Sequence, residues 1–295
     1  MATGCGGSDR EPPREVTPFP GTHDTATLSG SGSTFAEPLI REWTERYRRV
    51  APGVSVEYEG VGSAAAVDRL LEGRGDFVTS DVPLTEVEEA DVGGSQAVAQ
   101  LPWVAGAIAL PYNLPELDGD LRLSPEVLSA IFAGRIDRWD DPDIREDNPD
   151  VRLPSLPIQV VHRSDRSGTT AVLTSYLRAA ASWDLPTGTG ARVPAGTGAG
   201  GSQGVVDAVK RTTGALGYVQ LSYAQRASLP VALLGNRAGR FVAPTADAVG
   251  TALASAGRRK YGTTVELRFT PDAPGAYPLA TLSYLVYRRE GLERG

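Results

Sequence analysis

Arg163, Ser164, Asp165, Arg166, Ser167, Gly168, Thr169 and Thr170 set cations, a carboxylate and a hydroxyl-glycine-hydroxyl turn side by side. Residues of these types can hold an anion. The apolar run 158–161 predicts a buried strand before the turn, and Val172, Leu173, Tyr176 and Leu177 recur at helical spacing after it. Residues 167–170 therefore open a helix, where free backbone N–H groups and the positive end of the helix dipole favour a phosphate, sulfate or carboxylate. The same residues also fit a capped strand-to-helix turn with a surface Arg–Asp pair.

Two further turns of this kind occur upstream. Ser29, Gly30, Ser31, Gly32, Ser33 and Thr34 precede a stripe at Phe35, Leu39, Trp43 and Tyr47, spaced by four, which predicts an amphipathic helix. Gly60, Val61, Gly62 and Ser63 precede Val67, Leu70 and Leu71. A Ser or Thr at a single helix start is an ordinary N-cap; three such turns, one with an arginine, read together as cradles for one anion. Asp81 ends the strand-like segment 76–80 before Pro83, where ligands of open α/β sheets gather. It caps the next helix, or it accepts a hydrogen bond from a ligand that still carries a proton. Hydrogen phosphate has such a proton; sulfate does not.

The elements that must position these groups alternate. Strand-like runs at 54–58, 77–79, 158–161 and 216–219 interleave with helical patterns, which predicts open α/β sheets covered by helices. A chain of 295 residues is long enough for about two domains, each with its own core.

In this order and spacing the segments resemble the phosphate-binding proteins that serve bacterial ABC phosphate importers. The resemblance runs over about 28–287 and takes in the segment 132–141 around Trp139, then Asn148, Pro149 and Asp150 leading to Pro157 and Ile158. It continues through Gly196, Thr197 and Gly198, the stretch from Gly204 to Gly217, Tyr218 and Val219, and Ala276, Tyr277, Pro278 and Leu279. It implies an α/β, two-lobed periplasmic-binding-protein fold of type II with the ligand cleft between the lobes. One lobe spans 26–103, with 283–295 returning to it in shortened form, and the other spans 104–282. The two hinge crossings fall near 103–107 and 279–283.

The site it implies binds phosphate through Ser33, Thr34 and the Phe35 N–H from the first turn and Ser63 from the second. Asp81 accepts the phosphate proton, Arg163 supplies the one full positive charge, and Ser167, Gly168 and Thr169 donate through hydroxyl and backbone. Asp165 steadies the Arg163 guanidinium from behind. The sequence departs from the family in two places: Ala64, Ala65 and Ala66 stand where further Gly or Ser is frequent, and His162 stands where another residue is common. His162 is assigned no role. The resemblance further implies extracytoplasmic delivery to the importer's membrane permease, by a monomer without a cofactor.

The remaining composition narrows the alternatives. A net charge of -7 and a pI near 5.0 argue against a nucleic-acid partner. An acidic chain still binds a dianion, because charges beyond a Debye length of roughly 8 Å are screened. Lys210 and Lys260 are the only lysines among 29 basic residues. Two histidines, His23 and His162, and one cysteine, Cys5, cannot build a His- or Cys-based metal centre, and no P-loop sequence is present. Two alternatives stay open: a receptor for another tetrahedral oxyanion such as sulfate or molybdate, and a phosphate-ester hydrolase with Ser63 or Ser167 as nucleophile and Asp81 as base. Neither serine has an activating partner legible in the sequence. Trp139 reads as part of a packed loop, and the run 196–204 reads as a flexible loop near the cleft.

Ala2, Thr3, Gly4 and Cys5 resemble the last positions of a lipoprotein signal, which predicts a lipid anchor at Cys5 followed by a flexible tether to residue 25. No stretch approaches the roughly 18 apolar residues of a transmembrane helix. Family members continue past the strand matching 282–287 with further helices, so either the sequence is a piece of a longer protein or this member is shortened, and in the second case apolar surface in the first lobe is expected to lie uncovered.

Overall fold

The computed structural model describes residues 25–255, 259–261, 264–266 and 272–289. Cys5 and the tether lie outside the described residues. In chain order the elements begin β1 (Ala26–Gly32), α1 (Glu37–Val50), β2 (Val54–Glu59), α2 (Ser63–Leu71), β3 (Phe77–Ser80), α3 (Glu86–Asp91) and β4 (Val98–Ala109). There follow β5 (Arg122–Leu123), α4 (Pro125–Phe132), α5 (Pro142–Asp147), β6 (Gln159–Arg163), α6 (Gly168–Ala180), β7 (Thr197–Ala199), α7 (Gly201–Arg211), β8 (Ala215–Leu216), β9 (Val219–Gln220) and α8 (Leu221–Arg226). The chain closes with β10 (Leu233–Gly235), β11 (Phe241–Val242), α9 (Ala246–Ser255), β12 (Arg259–Tyr261), β13 (Thr264–Glu266) and β14 (Ala280–Arg288).

The fold is α/β and two-lobed. Six strands form one sheet in the order β2-β1-β3-β14-β4-β9, and β6 lies between β7 and β8 in a separate parallel sheet. β1 runs parallel to both β2 and β3, whereas β14 is antiparallel to β3 and β4. The crossovers between parallel strands pass through α1 and α2, which brings the carboxyl ends of β1 and β3 to the same edge. Gly32 pairs with Thr79 there, and a Cβ at Gly32 would lie 2.2 Å from Thr79 Oγ1 and 2.4 Å from Thr79 O, so only glycine permits the approach.

Apolar burial is divided. One cluster packs Ala66, Val67 and Leu70 of α2 against Val78, Val98, Tyr284 and Val286. A larger one surrounds Leu121, Leu128, Phe132, Trp139, Tyr176 and Tyr218, and a third packs α7 against β6 through Val161, Val205 and Val209. β4 contributes Val98 to the first cluster and Ile108 to the second, and β14 contributes Val286 to the first and Ala280 to the second. These two paired strands thus run from one core to the other. Trp139 is fully buried and donates Nε1–H to Gly214 O at 2.9 Å, as a packed loop requires.

Three elements differ from the sequence expectation. The stripe of the first helix does not point into a core: α1 starts at Glu37, Phe35 is buried in the turn before it, and Trp43 and Tyr47 are each 46% exposed. They border a groove of about 670 Å³ lined by Leu28, Ile40, Phe77 and Leu285, and Trp43 meets Trp103 edge-on at 5.4 Å. The run 216–219 is not one strand, because β8 pairs with β6 and β9 with β4, the chain changing sheets at Gly217 and Tyr218. The glycine-rich run 196–204 is no flexible loop: it forms β7, a turn and the first residues of α7. Among the described residues no helix is long and apolar enough to cross a membrane.

Candidate anion-binding site

β3 delivers Asp81 at its carboxyl end, 3% exposed. Its Oδ2 accepts from Ser33 Oγ at 2.6 Å and from Thr169 Oγ1 at 3.2 Å, and its backbone N–H donates to Ser63 Oγ at 3.2 Å. Thus the turns after β1, before α2 and before α6 all meet at one carboxylate. Asp81 Oδ1 is buried and has no hydrogen-bond partner among the described residues. Burial pushes the Asp81 carboxyl up to about 6, against the Ser33 hydrogen bond and the Arg163 charge, which pull it down.

Arg163 ends β6 and is 5% exposed. Its Nε donates to Asp165 Oδ1 at 2.7 Å, and its Nη2 donates to Asp165 Oδ2 to complete a two-toothed pair. Nη1 faces the other way, toward Thr34 Oγ1 at 3.2 Å and Ser202 Oγ at 3.5 Å. Asp165 also accepts from Gly201 N–H at 3.1 Å. Burial raises the Asp165 carboxyl, but the Arg163 hydrogen bonds and charge outweigh it and hold the group below its ordinary value. Asp165 stands behind the guanidinium, spending two of its donors and fixing its plane.

The helix starts are not equivalent. Ser167 is the N-cap of α6 and accepts from Thr170 N–H at 3.3 Å, so the capping reading of that turn is correct for its lone pair, while its proton remains to be donated. Neither α1 nor α2 has a side-chain cap: their N-caps are Ala36 and Gly62. Ser33, Thr34 and Ser63 therefore spend their hydroxyls on Asp81, Arg163 and Ser202 instead of on their own helices. The Phe35 N–H donates to Ser33 Oγ at 3.0 Å. Gly168 lies so close to the second turn that a Cβ there would sit 2.2 Å from Ser63 Oγ and 2.9 Å from Asp81 Cβ.

The structure thus gathers Ser33, Thr34, Phe35, Ser63, Asp81, Arg163, Gly168 and Thr169 around one buried point, with Ser167 adjoining in sequence and Asp165 behind Arg163. His162 stays out of it, with Nδ1 3.0 Å from the Arg163 carbonyl. Sequence reasoning missed the supports. Tyr58, whose phenol burial pushes up and keeps neutral, donates to Ser33 O at 2.9 Å; Tyr223 donates to Thr34 O at 2.9 Å; Tyr218 accepts from Arg163 N–H at 3.0 Å. A single tyrosine carries no local signal of such a role. Ser202 was missed too, although Gly200, Gly201 and Ser202 repeat the Gly/Ser turn before a helix that marked the other segments.

A model of the PBP superfamily domain matches residues 17–293. The chain is 36% identical to the phosphate-binding protein PstS of Methanocaldococcus jannaschii, across 96% of this chain and 76% of that protein. The chain belongs to the phosphate-binding protein family of this superfamily. PstS of Pasteurella multocida is a second such family member, 36% identical across 80% of this chain and 68% of its own. Solved structures share the family's two-lobed fold. A putative phosphate ABC transporter substrate-binding protein from Clostridium perfringens, with bound phosphate, superposes with a TM-score of 0.66 at 20% identity, over 91% of this chain and 89% of that one. The high-affinity periplasmic phosphate-binding protein PfluDING, also with phosphate, gives 0.70 at 24% identity, over 89% and 80%.

Proposed function

We propose that this protein binds inorganic phosphate, as hydrogen phosphate, at the Asp81–Arg163 site outside the cytoplasm and delivers it to the membrane permease of an ABC importer. The observation that carries this reading is Asp81: a buried carboxylate with one oxygen unpartnered, set among hydroxyl and N–H donors and a single arginine. A carboxylate opposes a fully ionised ligand, so its presence beside an arginine makes sense when the ligand brings a proton for it to accept. Thr34, Ser63, Ser167, the Gly168 and Thr169 N–H groups and Arg163 then donate to the other phosphate oxygens, while the Ser33 and Thr169 hydroxyls and the Phe35 N–H take part through the contacts they already make around Asp81.

Sulfate at the same place sets two desolvated acceptors face to face. A site built to pair a ligand hydroxyl rejects the analogue lacking it by roughly 10⁴ or more. Isothermal titration of the phosphate-stripped protein at pH 7 tests this: tight one-to-one binding of phosphate and silence toward sulfate is the expected result. Equal binding of both anions refutes the Asp81 role, and silence toward both from a folded sample refutes the receptor reading.

Binding here proceeds without chemistry. Ser63 accepts from a backbone N–H and Ser167 caps a helix, and among the described residues neither hydroxyl donates to a general base, which supports a receptor over a hydrolase. Release of product from simple phosphate esters would overturn that. The lobes comprise 26–103, rejoined at 283, and 104–282, and they close on the ligand about β4 and β14; the passage of both strands from one core to the other supports this division. The mature protein acts as a monomer held to the membrane through Cys5, and mass spectrometry that finds Cys5 unacylated in the native protein would remove the anchor.

A further inference from the structure

Ser202 lies at the start of α7 and is fully buried. Its Oγ is 2.7 Å from Thr34 Oγ1 and 3.5 Å from Arg163 Nη1, although Thr34 and Ser202 are 168 positions apart in the chain. Thr34 Oγ1 also accepts from Arg163 Nη1 at 3.2 Å. These three groups have a limited number of protons to share. A hydroxyl has one proton and two lone pairs, and a guanidinium only donates.

Two arrangements of the Thr34–Ser202 contact exist. In one, Thr34 donates to Ser202 and has no proton left for a ligand. In the other, Ser202 donates to Thr34; both Thr34 lone pairs are then filled, by Arg163 and by Ser202, and the Thr34 proton must point away from both. An anion in the cleft, which mostly accepts, stabilises the second arrangement. Ser202 suits that role, because its other neighbour at the site is the donor-only guanidinium, so Thr34 Oγ1 is the acceptor for its proton among the described residues.

We infer that Ser202 is a positioning residue for phosphate: it donates to Thr34 and thereby aims the Thr34 hydroxyl proton at the ligand. This deepens the phosphate reading of the same site and rests on it. The turn 200–202 becomes a fourth helix-opening turn serving the site. It also steadies the arginine from the other side, since the Gly201 N–H holds Asp165 Oδ1. One turn therefore holds Asp165 and Thr34, the groups on either side of the Arg163 guanidinium.

The test is a double-mutant cycle read by isothermal titration with inorganic phosphate. Ser202→Ala is expected to weaken binding about 5- to 20-fold, the loss of a well-oriented hydrogen bond. In a Thr34→Val background, where there is no hydroxyl to aim, the same substitution is expected to change affinity by less than about twofold, a coupling that a merely structural role would not produce. Ser202→Thr, which keeps the hydroxyl, is expected to recover most of the loss. An unchanged affinity for Ser202→Ala, or an equal loss in both backgrounds, overturns the inference while the phosphate reading stands. Failure of the wild-type protein to bind phosphate removes both. Should a variant not fold, neutron diffraction from the wild-type phosphate complex reads the same proton: deuterium bonded to Ser202 Oγ and directed at Thr34 supports the inference, and deuterium bonded to Thr34 and directed at Ser202 overturns it.

Discussion

Asp81 and Arg163 hold opposite charges within one buried ring, and substitution separates what each contributes. Arg163→Met removes the cation and leaves Asp165 without its partner, so phosphate binding is expected to weaken by at least about 1.5–3 kcal/mol, roughly 10- to 150-fold, by titration. Asp81→Asn acts on selectivity and on stability. The amide still fits the ring but can donate as well as accept, so phosphate-over-sulfate preference is expected to collapse; a preserved preference would contradict the proton-acceptor role. For stability the sign is the reverse of the usual carboxylate case. Asp81 titrates near 6 in the folded protein against an ordinary value of 3.8. Between those pH values the folded state holds a proton that the unfolded chain has released. Stability without ligand therefore falls as pH rises from about 4 to about 6, by on the order of 2–3 kcal/mol, and remains lower above that. Asp81→Asn is expected to flatten this fall and to raise the melting temperature of the phosphate-stripped protein at pH 7.

At the scale of elements, the site is a meeting of helix starts, and its tolerance is set by how closely they approach. The first residue of α6, Gly168, leaves no room for a methyl group against Ser63 and Asp81. Gly168→Ala is expected to hold the two turns apart, with an overpacking cost of about 1–3 kcal/mol at the closed site. Phosphate affinity should drop about tenfold or more, and the melting temperature of the stripped protein should hardly move if the lobes part to relieve the clash; a normal affinity would show that the turns do not need this contact. These helices were legible in the sequence because periodicity is local, and β2, β3 and β6 lie within a residue or two of the predicted runs. The outward face of α1 was not. Spacing by four identifies a stripe, but whether another element covers that stripe depends on which parts of the chain reach it, and here Trp43 and Tyr47 border an open groove.

At the scale of the whole molecule, ligand binding is expected to act as a clamp between the two cores. Phosphate at about 1,000 times its dissociation constant adds about 4 kcal/mol to unfolding, which differential scanning calorimetry reads as a rise of several degrees. Sulfate at the same concentration is expected to give none, and equal shifts would mean that ionic strength, not the site, stabilises the protein. The exposed Arg166–Asp68 pair, at 2.7 Å, joins the turn before α6 to α2 but lies in water. It adds less than about 1 kcal/mol, so it does not set affinity.

The kinds of groups at the site were determined by the sequence alone: an arginine with its aspartate, three Gly/Ser/Thr turns opening helices, and a carboxylate ending a strand. Each is a local pattern, set by backbone geometry, capping chemistry and the strand or helix that follows it. Only the tertiary structure decided which hydroxyl meets which partner. Ser33 turns to Asp81, Ser167 caps its own helix, and Thr34 lies between Arg163 and Ser202. That allocation depends on sheet order and on the passage of β4 and β14 between the cores, which bring residues more than a hundred positions apart within hydrogen-bond reach. A hydrogen bond is decided within a few tenths of an ångström, a precision that packing of the whole chain supplies and local sequence spacing does not.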